Sequence, residues 1–276
     1  MSDFESTIRI SAFVAIFGLV AAWEALQPRR PQAVSRRRRW PHNLGLLAIA
    51  VVLLRLVAPG AALAVAIAAE AGNWGLIHAY ELPPWLAAAA GVVLLDLAIY
   101  CQHVMFHAVP TLWRMHRVHH SDPEFDVTTG IRFHPFEILL STGVKCAAVA
   151  AIGAPVVAVF VFEVLLNATS MFNHANARMP ARLDRFLRWV VVTPDMHRVH
   201  HSVRYEESSS NFGFSLPWWD RLFGTYRAVP ESGHVGMTIG VDAFRAPEEL
   251  SLGHLLSQPF RDTAGQYPIN RRQSSG

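Results

Sequence analysis

LAAAAGVVLLDLAIYCQHVMFHAVPTLWRMHRVHH, residues 86–120, joins an apolar run to five histidines. Leu86 to Tyr100 carries one charge, Asp96, and so apolar a segment reads as a helix inside a bilayer, where backbone groups must be paired within the segment itself. His103 and His107 follow, four residues apart, and then His116, His119 and His120 in the string HRVHH. Imidazoles three or four residues apart lie on one face of a helix and can aim their nitrogens at a common ion. HRVHH recurs from His197 to His201, so eight of the fourteen histidines fall into three tight clusters. One zinc takes four ligands, whereas two neighbouring ions with about four or five each use about eight to ten. The spacing therefore predicts a pair of metals, with two helices carrying the duplicated string against it. No solenoid-type repeat accompanies that duplication.

Composition sets the surroundings. Of 276 residues 52% are hydrophobic and 16% charged, with a positive mean hydropathy of +0.25, which is unusual for a soluble enzyme. Ile8 to Leu26 is apolar apart from Arg9 and Glu24, and Leu44 to Ala69 is broken only by Arg55 and the Pro59-Gly60 pair. Each is compatible with the roughly 20 residues that a spanning helix needs. Ile138 to Phe172 is too long for one span and contains Gly153-Ala154-Pro155 near its middle, which predicts a helical hairpin that enters the membrane and returns. The expected fold is all-α: a polytopic membrane protein with about three spanning helices plus a helical hairpin, capped by a cytoplasmic helical, histidine-rich metal domain.

Charge supplies the expected orientation. Six arginines lie between Arg29 and Arg39, whereas the stretch from Glu70 to Glu81 has no basic residue, so the arginine loop should be cytoplasmic. Counting crossings from that loop puts all three clusters and His174 in the same compartment. In a bacterium this would be the inner membrane. The N-terminus is acidic, lacks a basic n-region and is followed by arginines, so it is expected to stay attached. Cys101 and Cys146 lie in or near spans and do not suggest a disulfide framework. No base-stacking aromatics interleave the basic run, so nucleic acid is not an expected partner.

Two polar stripes extend the metal reading, because polar groups inside a span usually face the bundle interior or a cavity. Asp96, Tyr100, His103 and His107 share one helical face, and Glu163, Asn167, Ser170 and His174 share another. Both stripes are expected to carry carboxylates or amides that orient imidazoles through their far nitrogens. The plain alternative makes Asp96 and Glu163 protonated helix-packing residues.

The three histidine boxes are accompanied by FHPFE (Phe133 to Glu137), NHAN (Asn173 to Asn176), TPDMHRVHH from Thr193, NFG at Asn211 and WDRLFGTY ending at Tyr226. On these motifs the chain resembles the membrane fatty acid hydroxylase superfamily, also called the sterol desaturase family, over roughly Leu95 to Arg227. The resemblance implies a cytoplasm-facing di-iron centre that uses O2 and two electrons to oxidise a lipid C–H bond, giving an alcohol or an alkene. By position it implies metal ligation by His103, His107, His116, His119, His120, His174, His197, His200 and His201. Some relatives carry a further histidine where this chain has Arg178, and His134 is a candidate substitute. Asp96, Tyr100, His134, Asn167, Asn173 and Asp195 are the candidate orienting groups. The implied division is a membrane-spanning region at 1–94, a catalytic domain at 95–230, and a C-terminal extension at 231–276 whose last dozen residues form a solvated tail.

Histidine count does not name the metal, since imidazole suits iron, copper, zinc and nickel. An unactivated alkyl chain needs an oxidant, which favours two iron ions with O2. No redox domain is visible, so electrons should come from an external ferredoxin, cytochrome or reductase docking on the basic face. The candidate substrates include sterols, fatty acyl chains and ether lipids. Two other classes compete: a b-type cytochrome with paired histidines on haem, and a non-redox zinc hydrolase or structural site, which lacks HExxH and would need Glu137 or Asp195 as base. His42 reads as interfacial, His78 as lying in the opposite loop, and His234 and His254 as surface residues. Trp218 and Trp219 read as membrane-interface anchors.

Overall fold

The computed structural model describes residues 3–261, so the expected tail lies outside the described residues. Among them the regular structure is helical, and β-type pairing is limited to two isolated bridges, Pro28 with Ala177 and Ser202 with Ile239. The main helices are α1 (Asp3–Leu26), α2 (Arg36–Val57), α3 (Ala61–Gly72), α4 (Pro84–Ala108), α5 (Pro110–His120), α6 (Pro135–Ile152), α7 (Val156–Asn173), α8 (Ala181–Leu187) and α9 (Pro194–His200). Four of them, α4, α5, α6 and α9, open on proline, whose fixed φ suits the first helical position and whose missing N–H is not needed there.

Five stretches are long and apolar enough to cross a membrane: Ser6–Leu26, Arg36–Ala79, Pro84–Ala108, Pro135–Ile152 and Val156–Asn173. These are the three expected spans and the two arms of the hairpin, and the chain is a multi-pass membrane protein. Leu19, Val52, Leu56 and Val157 are exposed on the outer faces, as a lipid-facing belt requires.

One expected span departs from its limits in a way that matters. Leu44 to Ala69 is not a continuous span, because Ala58 to Gly60 separate α2 from α3 and Gly60 takes a left-handed conformation at φ 64°. As the shared face of Asp96, Tyr100, His103 and His107 requires, α4 runs past Tyr100 to Ala108, so both histidines stay on the helix that carries Asp96, and all three are buried. Apolar packing between helices gains little from lipid exclusion, so close approach through small residues does more of the work. Ala62 and Ala66 of α3 pack with Leu95, Ile99, Val149 and Phe162, and a Cβ on Gly91 of α4 would come within 2.8 Å of Ala158 of α7.

The hairpin is fastened at both ends. At its turn Gly153 adopts φ 65°, the Leu76 amide donates to the Ala151 carbonyl at 3.0 Å, and a Cβ on Gly75 would lie 2.3 Å from the Gly153 nitrogen. His78 sits beside this turn. At the opposite, capped end the arginine loop crosses the chain after α7: Arg29 N donates to Asn176 O and Arg178 N to Gln27 O. The arginine run is therefore more than a topology signal. Arg39 is fully buried and pairs with Asp122 at 2.8 Å and with Asp126, while Arg132 donates to Val118 O, Asn43 Oδ1 and Ser121 Oγ. Breaking such a buried pair typically costs about 3–5 kcal/mol, because one charge is left uncompensated.

Candidate metal centre

All nine candidate ligands are buried together under the cap, in two groups. His103, His107, His116, His120 and His200 form one, and His119, His174, His197 and His201 the other, with the ligand nitrogens of each group within 4.8 Å of one another. The first takes two residues from α4, two from α5 and one from α9; the second takes one from α5, His174 at the end of α7, and His197 and His201 from α9 and its C-cap. Arg178 is exposed and belongs to neither group. His134 does not substitute for it. Its Nδ1 caps α6 by accepting from Phe136 N at 3.2 Å, and its Nε2 donates to Leu256 O at 3.2 Å.

The hydrogen-bond pattern tests whether a cation fits. His103 Nδ1 donates to Phe212 O at 2.8 Å, and His200 Nδ1 donates to Ser210 O at 2.8 Å. Each neutral ring carries one proton, so both Nε2 atoms hold lone pairs, yet they face each other at 3.0 Å. Such a pair repels unless a cation lies against both. Further Nε2 atoms meet at 3.1 Å between His107 and His120, 3.1 Å between His174 and His201, and 3.2 Å between His174 and His119. Both nitrogens of His197 and Nε2 of His116 are buried with no protein partner. Orphaned buried imidazole nitrogens at this density fit metal ligation and little else.

Electrostatics keep these groups ready. Burial pulls His116 and His174 down to about 3, and burial followed by the neighbouring imidazoles lowers His119, His120, His197 and His201 well below the ordinary range. Neutral imidazole is the form that binds metal, so at neutral pH no proton has to be displaced.

The orienting partners are not the expected ones. Asp96 reaches no imidazole; its carboxylate accepts from Trp219 Nε1 at 2.9 Å and Leu216 N at 3.2 Å. Tyr100 shares a hydrogen bond with Thr225 Oγ1, Asn173 Nδ2 donates to Phe214 O, and Asn167 Nδ2 donates within its own helix to Glu163 O. Asp195 pairs with Arg29 and Arg198, which outweigh the upward push of burial and hold its carboxyl below the ordinary range. Glu163 is neither a ligand-orienting group nor a lone packing residue, since it pairs with Arg9 and Lys145. Among the described residues the carboxylate that orients a candidate ligand is Glu137, which accepts from His116 Nδ1 at 2.6 Å. Backbone carbonyls of Phe212, Ser210 and Ser170 orient three more, the last receiving His174 Nδ1 at 2.7 Å.

Asp96 and Asn173 act one step removed, by hydrogen-bonding the segment from Ser210 to Leu216, and Tyr100 packs its ring edge-to-face with Phe212 of that segment. Asp220 holds it from the other side, accepting from Phe212 N and Gly213 N at 2.8 Å each and from Thr225 Oγ1 at 2.7 Å. Burial lifts Asp220 to about 6 against those three hydrogen bonds. Asn211 tolerates a left-handed φ of 53° and ties this segment to Met196 O and Arg227 O. Gly130 matters for a different reason. A Cβ there would lie 2.5 Å from Ser170 O and 3.2 Å from His174 Nδ1, so a larger residue would push on a ligand.

Two outlying expectations also change. His234 is not a surface residue: it is 9% exposed and its Nε2 lies 3.6 Å from Asp195. Trp219 uses its indole N–H on Asp96, whereas Trp218 is 44% exposed. An apolar cavity of about 170 Å³ opens beside His103 and His116, with Phe106, Phe133, Leu166 and Phe214 in its walls.

The chain is 30% identical over 205 residues to an alkylglycerol monooxygenase of Xenopus tropicalis, covering 70% of this chain and 43% of that protein. It is 30% identical over 151 residues to an ornithine lipid hydroxylase of Rhizobium tropici, 54% of this chain and 44% of the other, and 26% identical over 144 residues to a cholesterol 25-hydroxylase of Rattus norvegicus, 51% and 47%. The chain thus spans less than half the length of these relatives. No solved structure matches it significantly. Residues 88–225, which hold every one of the nine histidines, match the fatty acid hydroxylase family, and the chain belongs to that family.

Proposed function

We propose that the chain oxidises a C–H bond of a membrane lipid with O2 and externally supplied electrons, using two iron ions held by the nine histidines. The observation that carries this is the pair of donor-less nitrogens, His103 Nε2 and His200 Nε2, facing each other at 3.0 Å inside an otherwise buried cluster. The chemistry that two irons supply is the reductive activation of O2 needed for an unactivated alkyl chain. The protein's own part is to hold, orient and exclude. Five histidines would hold one ion and four the other. Glu137 and the Phe212, Ser210 and Ser170 carbonyls fix tautomers so that the ligand nitrogens point inward. The aromatic walls beside His103 and His116 keep water from the reacting carbon and guide a hydrocarbon chain to it.

A hydrolytic zinc reading would need a free carboxylate base. Glu137 is engaged by His116 and Asp195 by two arginines, which favours the oxidative reading. Residues 95–230 then act as the catalytic unit, with 1–94 as membrane region and 231–276 as an extension. The histidine cap faces the cytoplasm, with exposed Arg37 and Arg38 available to an acidic electron donor. Metal analysis of detergent-purified chain, together with lipid oxidation in the presence of a reductant and ferredoxin, tests the proposal. About two irons per chain with O2-dependent product is the expected result. Two zinc ions with no oxygen dependence after iron reconstitution would overturn it.

A further inference from the structure

A second cavity, of about 400 Å³, adjoins the one beside the histidines. The two share walls at Leu47, Ala50, Ile99, Ile138, Ser141 and Asn167, so they lie side by side with these side chains between them. Their characters differ. The first has Glu137 and two imidazoles in its lining but no arginine or lysine, whereas the second is lined by Arg9, Arg55, Lys145 and Glu163 and lies against the α2–α3 break at Ala58 to Gly60.

Three cations and one carboxylate leave an excess of positive charge among membrane-spanning helices. Glu163 is shared between Arg9 and Lys145, Arg9 Nε is buried without a partner, and Arg55 has no protein partner among the described residues. Arg55 is exposed in the last turn of α2 and lines this cavity, and an ionisable side chain lining a cavity between apolar helices marks a candidate functional contact. Glu163 precedes His174 by eleven residues of mostly helical chain, about 16 Å of rise, so the charged cavity stands a chain's length away from the metal centre rather than beside it.

We propose that Arg55, with Arg9 and Lys145 around Glu163, is the headgroup site for the substrate: an anionic head, carboxylate or phosphate, sits in the second cavity and its hydrocarbon chain runs past Ile99 and Ile138 to His103 and His116. This rests on the lipid-oxygenase reading. It makes the enzyme select for charge at one end of the substrate and measure the oxidised carbon from that end. The break between α2 and α3 belongs to the same site, because Ala58, Pro59 and Gly60 form part of the second cavity's wall directly after the turn that carries Arg55.

The test is equilibrium binding of oleate, methyl oleate and oleoyl lysophosphatidate to the full chain in detergent, comparing wild type with Arg55→Gln, Arg55→Lys and Lys145→Gln. No turnover is required, so failure of the oxidative reading and failure of this one are distinguishable. Arg55→Gln should weaken oleate or lysophosphatidate by about tenfold, as expected for loss of a charge-assisted contact. Arg55→Lys should restore most of that affinity, Lys145→Gln should give a similar loss, and methyl oleate should bind all four proteins alike. An effect confined to lysophosphatidate would assign the site to phosphate heads, and an effect on both anions would assign it to any single anionic head. Equal binding of oleate and methyl oleate by wild type, with lysophosphatidate unaffected by Arg55→Gln, would overturn the proposal.

Discussion

The same pentapeptide, HRVHH, is used twice with opposite allegiance. In α5 its first and fifth residues, His116 and His120, join the five-histidine group and its fourth, His119, joins the other. In α9 the first and fifth residues, His197 and His201, join the four-histidine group and the fourth, His200, crosses over. The spacing accounts for the split, since residues four apart stack on one line of a helix while the residue between them is rotated away. What surrounds each copy accounts for the direction. The buried Arg117 donates to Gln258 O and Arg261 O, fastening the C-terminal segment over α5, whereas the buried Arg198 holds Asp195 and Ala175 O beneath the arginine loop. Local sequence thus sets which imidazoles travel together, and distant partners set where they go.

The largest effects should come from removing ligands on the two sides of this comparison. His119→Ala leaves three histidines in its group and should cost more than about 100-fold in metal affinity, beyond the loss typical of an orienting partner. His120→Ala leaves four in the other and should retain more metal; both variants should still insert, because the ligands are not what drives membrane integration. Equal loss, read by metal analysis of the inserted proteins, would break the comparison. Glu137→Gln asks whether the two copies differ in support, because His116 has a carboxylate partner and its counterpart His197 has none. About a 10- to 100-fold loss of affinity is expected there, and undiminished metal binding would reduce Glu137 to packing.

Acid should act on both groups alike. His116 and His174 titrate near 3 when folded against 6.5 ordinarily, so their contribution is whole above about pH 6.5 and is lost as pH falls toward 3. Metal-free protein should therefore lose about 1.4 kcal/mol of stability per pH unit for each such histidine in that window. Denaturation at a series of pH values checks this, and a flat profile from about pH 6 to about pH 4 would refute it. The smallest effect belongs to Asp96→Asn, which perturbs the Ser210 to Leu216 segment without touching an imidazole. A loss of metal affinity below about tenfold is expected; a larger one would return Asp96 to direct orientation of a ligand.

That the three histidine boxes come together, and the number of long apolar helices, were legible because periodicity and apolar length are written locally in the chain. Gly153 to Pro155 marks the hairpin turn, and the Pro59-Gly60 pair was visible as a blemish, although that it ends one helix and starts another was not. What remained hidden depends on remote pairing. The carbonyls of Phe212, Ser210 and Ser170 carry no side-chain signal, so the sequence offers side chains such as Asp96 and Asn167 in their place. Arg39 finds Asp122 and Asp126 more than eighty residues away, and a run of arginines looks solvated until those partners are folded over it. Gly130 gave no sign at all, since its importance is the space it leaves for Ser170 and His174.

Because α5 and α9 each serve both groups, the two ions proposed for those groups would share the helices that hold them. Each binding event should prepay part of the ordering needed for the next, which is positive coupling between the two sites. A metal titration should then rise steeply from empty to doubly loaded chains, with singly loaded protein scarce throughout.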